Sequence, residues 1–257
     1  MADELVEGIV PADILARGEH ISVRVAERCG MDRSGRSIER LVRADFLQAA
    51  GKGRRPAALL LHKAAGDRRA YEGLARALAR RGISSLRLDL RGHGESINAG
   101  KFVPGGDNAT AVLEGTEADV VAGLAFLEEQ PWVDKSRLAV VGASYSGEAM
   151  AAAARQSGRY AKAYVALSPG SFSAESAAAI DRSGAEWLLT RSARERSPAV
   201  KAAVDGAGVA SMRVQTWVLE ASGHATDVLA EVPGLTDRIA DWIGATLNPG
   251  HRARPDD

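Results

Sequence analysis

The chain has 257 residues, of which 46% are apolar and 26% are charged. These values are typical of a soluble globular protein and allow a sizeable core in one large domain or two small ones. Lysine plus arginine equals aspartate plus glutamate at 33 each, and no long block of one sign occurs, which argues against a nucleic-acid-binding protein.

The N-terminal segment, residues 1–19, is acidic and has neither a basic start nor a sustained apolar run. It predicts an N-terminal extension rather than a secretory signal or a membrane span. The only cysteine is Cys29, so no intramolecular disulfide can form, which is compatible with a reducing compartment. We therefore expect a cytoplasmic protein that does not interact with membranes.

The predicted elements begin with two segments, 20–28 and 38–48, that alternate apolar and polar residues around the turn-like sequence GMDRSGRS. They predict an antiparallel pair of strands. From Ala57 onward, short apolar runs alternate with segments of helical periodicity, as in a parallel sheet with helices on both faces. The further predicted strands are 57–62, 84–90, 137–141, 161–167, 186–190 and 214–219, and the clearest predicted helices are 71–82, 116–128 and 235–246.

The predicted elements form one domain over 1–257, because neither an internal repeat nor a linker divides the chain. Residues 97–115 are predicted to be a loop rather than a second domain, and residues 248–257 a flexible tail. The interval 168–184 between two predicted strands is too short for a large helical lid. The sequence thus predicts a lidless α/β domain with a fairly open site.

The sequence VVGASYSGEAM, residues 140–150, carries the clearest chemical signal. In a sharp strand-to-helix turn, one serine projects its hydroxyl from a strained backbone, and only small residues two positions away avoid a collision. Ser144 has Gly142 and Ser146 at those positions, whereas Ser146 has Ser144 and Glu148. Ser144 is therefore the predicted nucleophile, and no phosphate-binding glycine pattern supports the competing interpretation as a nucleotide-binding turn.

A nucleophilic serine needs a general base, and the chain has five histidines. His224 follows the last predicted strand and is expected at the same sheet edge as Ser144. His20 lies in an N-terminal strand, His251 lies in the tail, and His93 precedes the nucleophile in chain order. His224 is the predicted base.

The carboxylate that orients the base is expected between Ser144 and His224, after the penultimate strand. Glu195 lies there and is the predicted acid. Asp205 is farther along the following helix, and Asp205 and Glu220 are the alternatives. A surface carboxylate in an arginine-rich loop is the competing interpretation of Glu195.

Together these motifs resemble the α/β-hydrolase family, in particular its compact members that are similar to dienelactone hydrolases and small carboxylesterases. The resemblance spans residues 38–247, with LLLHKAAGD at the family's His-Gly oxyanion loop, LRLDLRGHGES at the next strand and turn, VVGASYSGEAM at the nucleophile and GHATDVL at the histidine. The order Ser144, Glu195, His224 matches the family's order of nucleophile, acid and histidine. It implies an α/β-hydrolase fold with a mostly parallel eight-stranded sheet.

The resemblance also implies a serine hydrolase that cleaves small-molecule carboxylic esters through an acyl-enzyme, without a cofactor or a metal. The backbone N–H groups of Tyr145 and Ala64 match the family's oxyanion hole. Lys63 departs from the family pattern, because glycine usually follows the oxyanion-loop histidine, and the acid is glutamate where aspartate is usual. His62 and His93 match positions that brace neighbouring loops.

Other functions remain open from the sequence alone. One alternative is a catalytically silent hydrolase-fold protein that binds a ligand or a partner. Lys63 and the missing aspartate are the features that favour it. A thioesterase, an acyltransferase or a cofactor-free haloperoxidase would use the same scaffold, because the fold does not determine the chemistry. A homodimer is compatible with the sequence.

Overall fold

A computed structural model describes residues 19–31, 37–158, 160–170, 172–210 and 213–249. These residues form one eight-stranded sheet, as the sequence predicts. Of the predicted N-terminal extension, residues 1–19, only Glu19 is described, and it begins the first strand; of the predicted tail, 248–257, only residues 248 and 249 are described. The strands are β1 (Glu19–Met31), β2 (Ser37–Leu47), β3 (Arg55–Leu61), β4 (Ser84–Leu88), β5 (Val133–Ala143), β6 (Ala163–Leu167), β7 (Glu186–Ser192) and β8 (Val214–Leu219).

The helices of the described residues lie mainly between the parallel strands. Two short 3₁₀ helices, Arg68–Tyr71 and Ala225–Asp227, precede α1 and α7. No helix in the described ranges combines the length and the apolar character needed to cross a membrane. The α-helices are α1 (Glu72–Arg80), α2 (Ala109–Glu114), α3 (Thr116–Glu129), α4 (Ser146–Ser157), α5 (Ala174–Arg182), α6 (Pro198–Ala210), α7 (Val228–Glu231) and α8 (Leu235–Leu247).

The order of strands across the sheet is β1-β2-β4-β3-β5-β6-β7-β8. β2 pairs antiparallel with both β1 and β4, and all other neighbouring strands are parallel. The carboxyl ends of β3 to β8 therefore meet at one edge of the sheet. In an open parallel sheet this edge is where ligands bind.

The central strands are buried on both faces, which explains their uninterrupted apolar sequences. Leu59 and Leu61 of β3 pack in the layer that contains α3, α4 and α6. Leu60, between them, points to the opposite layer with Leu74 of α1 and Ile243 of α8. Alternate residues of one strand thus hold the two helical layers on opposite faces of the sheet.

The structure differs most from the predicted elements in two places. The interval 97–115 is not wholly a loop, because it contains α2, whose residues are all at least partly exposed and so show no apolar periodicity. β5 begins at Val133 rather than at residue 137, and the polar residues that start it are exposed or half-buried. Both differences occur where an element buries so little apolar surface that its sequence shows no clear apolar pattern.

Candidate active site

Ser144 lies in the turn between β5 and α4 with a left-handed backbone, at a φ of 55°. This conformation is unfavourable for a residue with a Cβ and persists only where surrounding contacts impose it. The Ser144 N–H donates to the carbonyl oxygen of Leu167 over 2.9 Å, and the Ser144 carbonyl accepts the N–H of Gly147 over 3.0 Å. Both peptide groups of Ser144 are thereby fixed.

The small residues around Ser144 are required by close packing. A Cβ on Gly142 would lie 2.7 Å from the carbonyl oxygen of Ser146, closer than real Cβ contacts. Ser146 is buried at the start of α4, and its hydroxyl donates to the carbonyl of His62 over 2.7 Å. The Ser146 hydroxyl is therefore engaged in the interior, and Ser144 is the serine that contacts His224.

The structure brings Ser144, His224 and Glu195 together. His224 Nε2 lies 3.1 Å from Ser144 Oγ, and His224 Nδ1 lies 3.1 Å from Glu195 Oε2. Burial opposes ionisation of Glu195, but hydrogen bonds from the Ser197 N–H and from His224 outweigh it and lower the pKa of Glu195. The buried side chain is therefore a carboxylate at neutral pH, and the interpretation as a surface glutamate is wrong.

The alternative acids lie elsewhere. Asp205 pairs with the guanidinium of Arg191, at 2.7 and 3.0 Å. Glu220 is exposed. Among the described residues, Glu195 is the carboxylate that is hydrogen-bonded to His224.

The loop that carries His224 returns from β8 across the carboxyl ends of the neighbouring strands. Ser192, at the end of β7, donates its hydroxyl to the carbonyl of Gly223 over 2.8 Å. Ser168, directly after β6, accepts the N–H of Ala225 over 3.1 Å. These two serines fix the backbone on both sides of His224 and so position its imidazole beside Ser144.

Glu231 of α7 makes a further contact with this loop. One of its carboxylate oxygens accepts the N–H groups of Ser222 and Gly223, both over 2.9 Å. These two bonds lower the pKa of Glu231. Sequence analysis missed Ser168, Ser192 and Glu231. The available signal was that the two serines lie at or directly after the end of a strand, on the side where the site lies.

The N–H groups of Tyr145 and Ala64 are free to bind a ligand. In the described part of the chain, neither has an acceptor within the protein. Tyr145 shares its peptide group with the Ser144 carbonyl, which is bonded to Gly147. Because a peptide group is planar and trans, a fixed carbonyl also fixes the opposite direction of its N–H.

The same principle applies to Ala64, whose peptide group contains the carbonyl of Lys63. That carbonyl lies 2.7 Å from His62 Nδ1 and accepts the N–H of Gly66 over 3.0 Å. His62 Nε2 accepts the N–H of Leu90 over 3.0 Å. Burial lowers the pKa of His62 to about 4, so the neutral ring carries its proton on Nδ1 and donates it to Lys63.

His93 is a packing residue in this structure. It is 4% exposed, and its ring stacks on Phe102 at 4.6 Å and lies 6.3 Å from the ring of Tyr145. Its Nδ1 lies 2.8 Å from the carbonyl oxygen of Arg91, and burial lowers the pKa of His93. His93 braces the loop after β4 and forms no hydrogen bond with Ser144.

Lys63 replaces the glycine of the family pattern, and its side chain turns toward the His224 loop. Its Nζ lies 2.7 and 2.6 Å from the two carboxylate oxygens of Asp227. Across the described ranges, no three His, Cys, Asp or Glu side chains are grouped so that they could hold a metal ion. The chemistry that the site offers is that of a hydroxyl, an imidazole, a carboxylate and two N–H donors.

Residues 53–227 match the model of a protein family described as serine aminopeptidase, S33. No curated protein matches the chain significantly. A dienelactone hydrolase from Anabaena variabilis has a similar fold, with a TM-score of 0.63, 17% identity and coverage of 90% of this chain and 97% of that one. An esterase from Pyrococcus furiosus has a TM-score of 0.63 and 16% identity, with coverage of 95% of this chain and 96% of that one. A 2,6-dihydroxy-pseudo-oxynicotine hydrolase has a TM-score of 0.66 and 13% identity, with coverage of 93% of this chain and 71% of that one.

Proposed function

The chain belongs to the serine aminopeptidase S33 family of α/β-hydrolases, and from this membership and the site geometry we propose that it is a serine hydrolase of carboxylic esters. The observation that carries the proposal is the bonded series of Glu195, His224 and Ser144, with both links at 3.1 Å. A hydroxyl is inert until a base takes its proton, and this series supplies the base and the group that orients it.

In the proposed reaction, Ser144 Oγ attacks the ester carbonyl carbon while His224 Nε2 takes the hydroxyl proton. The N–H groups of Tyr145 and Ala64 stabilise the negative charge that develops on the carbonyl oxygen, and the N-terminus of α4 favours the same charge. Glu195 holds the imidazole in the required tautomer. The protonated His224 then donates to the leaving alcohol, and a water molecule, activated by His224, releases the acid from Ser144.

The family name also suggests peptide substrates, but the contacts of Asp227 and Glu195 favour esters. An aminopeptidase binds the ammonium group of its substrate, and an unpaired carboxylate is a strong acceptor for such a group. Asp227 is paired with Lys63, and Glu195 is bonded to His224. The names of the similar dienelactone hydrolase and esterase support the same choice.

The site favours short or bulky esters. The side chain of His224 is 38% exposed. The segment after β6, where a lid would be inserted, is instead tied to α4, because Glu148 accepts the hydroxyl protons of Ser173 and Ser176 over 2.9 and 2.7 Å. A long acyl chain would need an apolar tunnel to bury it, whereas a short or bulky ester can react at an open site.

We expect the purified protein to hydrolyse p-nitrophenyl acetate and butyrate without added metal or cofactor, at a rate that EDTA does not change. A fluorophosphonate should label the tryptic peptide 138–155, with fragmentation placing the adduct on Ser144. An aminoacyl p-nitroanilide should be cleaved much more slowly than the esters. A folded protein that turns over no short ester would support the silent hydrolase-fold alternative, and faster turnover of thioesters would support a thioesterase.

Replacing Glu195 with glutamine should lower kcat for p-nitrophenyl acetate on the order of 10⁴-fold, as in well-studied triads. The amide keeps the shape of the carboxylate but has no charge to stabilise the imidazolium. Its NH₂ group can also donate to Nδ1, which favours the tautomer with its proton on Nε2, and that tautomer cannot take the Ser144 proton. Asp205→Asn is the matched control, because it breaks an ion pair with Arg191 outside the site and should leave kcat unchanged. Near-wild-type activity of Glu195→Gln would remove Glu195 from the mechanism.

A further inference from the structure

Lys63 and Asp227 join two loops that start from distant strands. Lys63 follows β3 and directly precedes Ala64, and Asp227 lies three residues after His224 on the loop from β8. β5, β6 and β7 separate β3 from β8, so the two strands lie about 19 Å apart at the usual strand spacing. The bidentate contact at 2.6 and 2.7 Å therefore connects the oxyanion loop directly to the loop of the base.

This ion pair is the last of a series of contacts that advances across the sheet. Gly223 is held at the end of β7, and Ala225 at the end of β6. His224 contacts the serine after β5, and Asp227 reaches the loop after β3. The two serines fix the loop up to Ala225, and the ion pair connects the loop to the oxyanion loop.

The oxyanion loop is held on its interior side by contacts to its backbone. Its short turn contains Ala65 with a left-handed φ of 57°, which is unfavourable for alanine. The His62 ring and the Gly66 N–H hold the Lys63 carbonyl from the interior. The Lys63 side chain supplies the contact on the opposite side, toward the base.

We propose that the Lys63–Asp227 ion pair is a positioning device that sets the distance and direction of the Ala64 N–H relative to the His224 imidazole. The inference rests on the proposed function, because it assigns a role within that reaction. The family has glycine at this position, which leaves the backbone conformationally free. In this chain the lysine restricts that freedom through a side-chain contact to the His224 loop. A misplacement of about 1 Å in such a donor can cost up to about a hundredfold in rate.

A purely electrostatic role for Lys63 gives a different expectation. If the ammonium acted by its charge on the developing oxyanion, removing Asp227 would strengthen that effect and raise kcat. If the pair acts by holding the loops, removing either partner should lower kcat equally. The pair is also half-exposed, at 26% and 48% of the two side chains, so its loss should change the stability of the whole domain little.

The test uses Lys63→Met, Asp227→Asn, the double variant and Lys63→Arg. Each single variant should lower kcat for p-nitrophenyl acetate about tenfold, with KM within about twofold. The melting temperature should fall by no more than about 3 °C. The double variant should lose no more than either single one, because both single variants remove the same ion pair. Lys63→Arg keeps the ion pair and should retain activity.

The matched controls break exposed ion pairs elsewhere. Arg80→Met removes the 2.9 Å contact with Asp237, and Asp205→Asn removes the contact with Arg191; both should keep the wild-type kcat. Wild-type kcat in both Lys63→Met and Asp227→Asn would overturn the inference, as would a raised kcat in Asp227→Asn alone.

The rate of fluorophosphonate labelling separates this inference from the proposed function. If the wild-type protein is labelled at Ser144 and the Lys63 and Asp227 variants react at the wild-type rate, the inference alone fails. If Ser144→Ala keeps its activity, the proposed function fails and the inference fails with it. Slower labelling of both single variants, with fast labelling of Lys63→Arg, supports the positioning role.

Discussion

Replacing Ser144 with alanine is expected to lower kcat for p-nitrophenyl acetate by on the order of 10⁶-fold and to abolish fluorophosphonate labelling. The hydroxyl is the only group lost, and among the described residues its side-chain partner is His224 Nε2 at 3.1 Å. The backbone bonds to Leu167 and Gly147 do not involve the side chain, so the left-handed turn should persist. The melting temperature should therefore stay close to that of the wild type.

Ser146→Ala is the matched control for Ser144→Ala. It removes a hydroxyl two residues away, which is buried and bonded to the His62 carbonyl. Losing that hydrogen bond should cost about 1 kcal/mol of stability. Labelling and turnover should remain within several-fold of the wild type. An adduct on Ser146, or an active Ser144→Ala protein, would contradict the assignment of the nucleophile.

Local rules made the sharp turn at Ser144 predictable from sequence. The collision that excludes a Cβ at Gly142 involves the carbonyl of Ser146, only four residues away. Such a constraint acts within one turn and leaves its mark in consecutive residues. The same holds for the strands of the core, whose apolar runs reflect burial on both faces.

The residues that hold the His224 loop could not be predicted in the same way. Ser168, Ser192 and Glu231 contact the His224 loop through its backbone, and a backbone contact imposes no particular residue type on that loop. Their role depends on the path of the loop across the strand ends, which the sequence does not specify. The structure was needed to connect them.

The Lys63–Asp227 pair presents the same difficulty over a longer distance, because 164 residues separate its members. From the sequence, Lys63 was a departure that cast doubt on the oxyanion loop. In the structure, the lysine is directed to Asp227, and the Lys63 carbonyl still accepts two hydrogen bonds that orient the Ala64 N–H. The departure therefore leaves the Lys63 carbonyl bonded on its interior side and adds a side-chain contact to the His224 loop.

Replacing His224 with alanine is expected to have an effect as large as that of losing the nucleophile, on the order of 10⁶-fold in kcat. The imidazole is the only base within hydrogen-bonding distance of Ser144 among the described residues, and it alone links that serine to Glu195. The side chain is 38% exposed, so its removal opens no buried cavity and should change the melting temperature little.

His93→Ala is the comparison that tests the choice of histidine. Its ring is buried against Phe102, so truncation should cost about 2–5 kcal/mol of stability. Because His93 does not contact Ser144, the folded variant should keep its activity within about tenfold when assayed well below its melting temperature. The two variants should therefore separate cleanly: His224→Ala stable and inactive, His93→Ala less stable and active. A stable but inactive His93→Ala protein, beside an active His224→Ala protein, would move the role of base to the other loop.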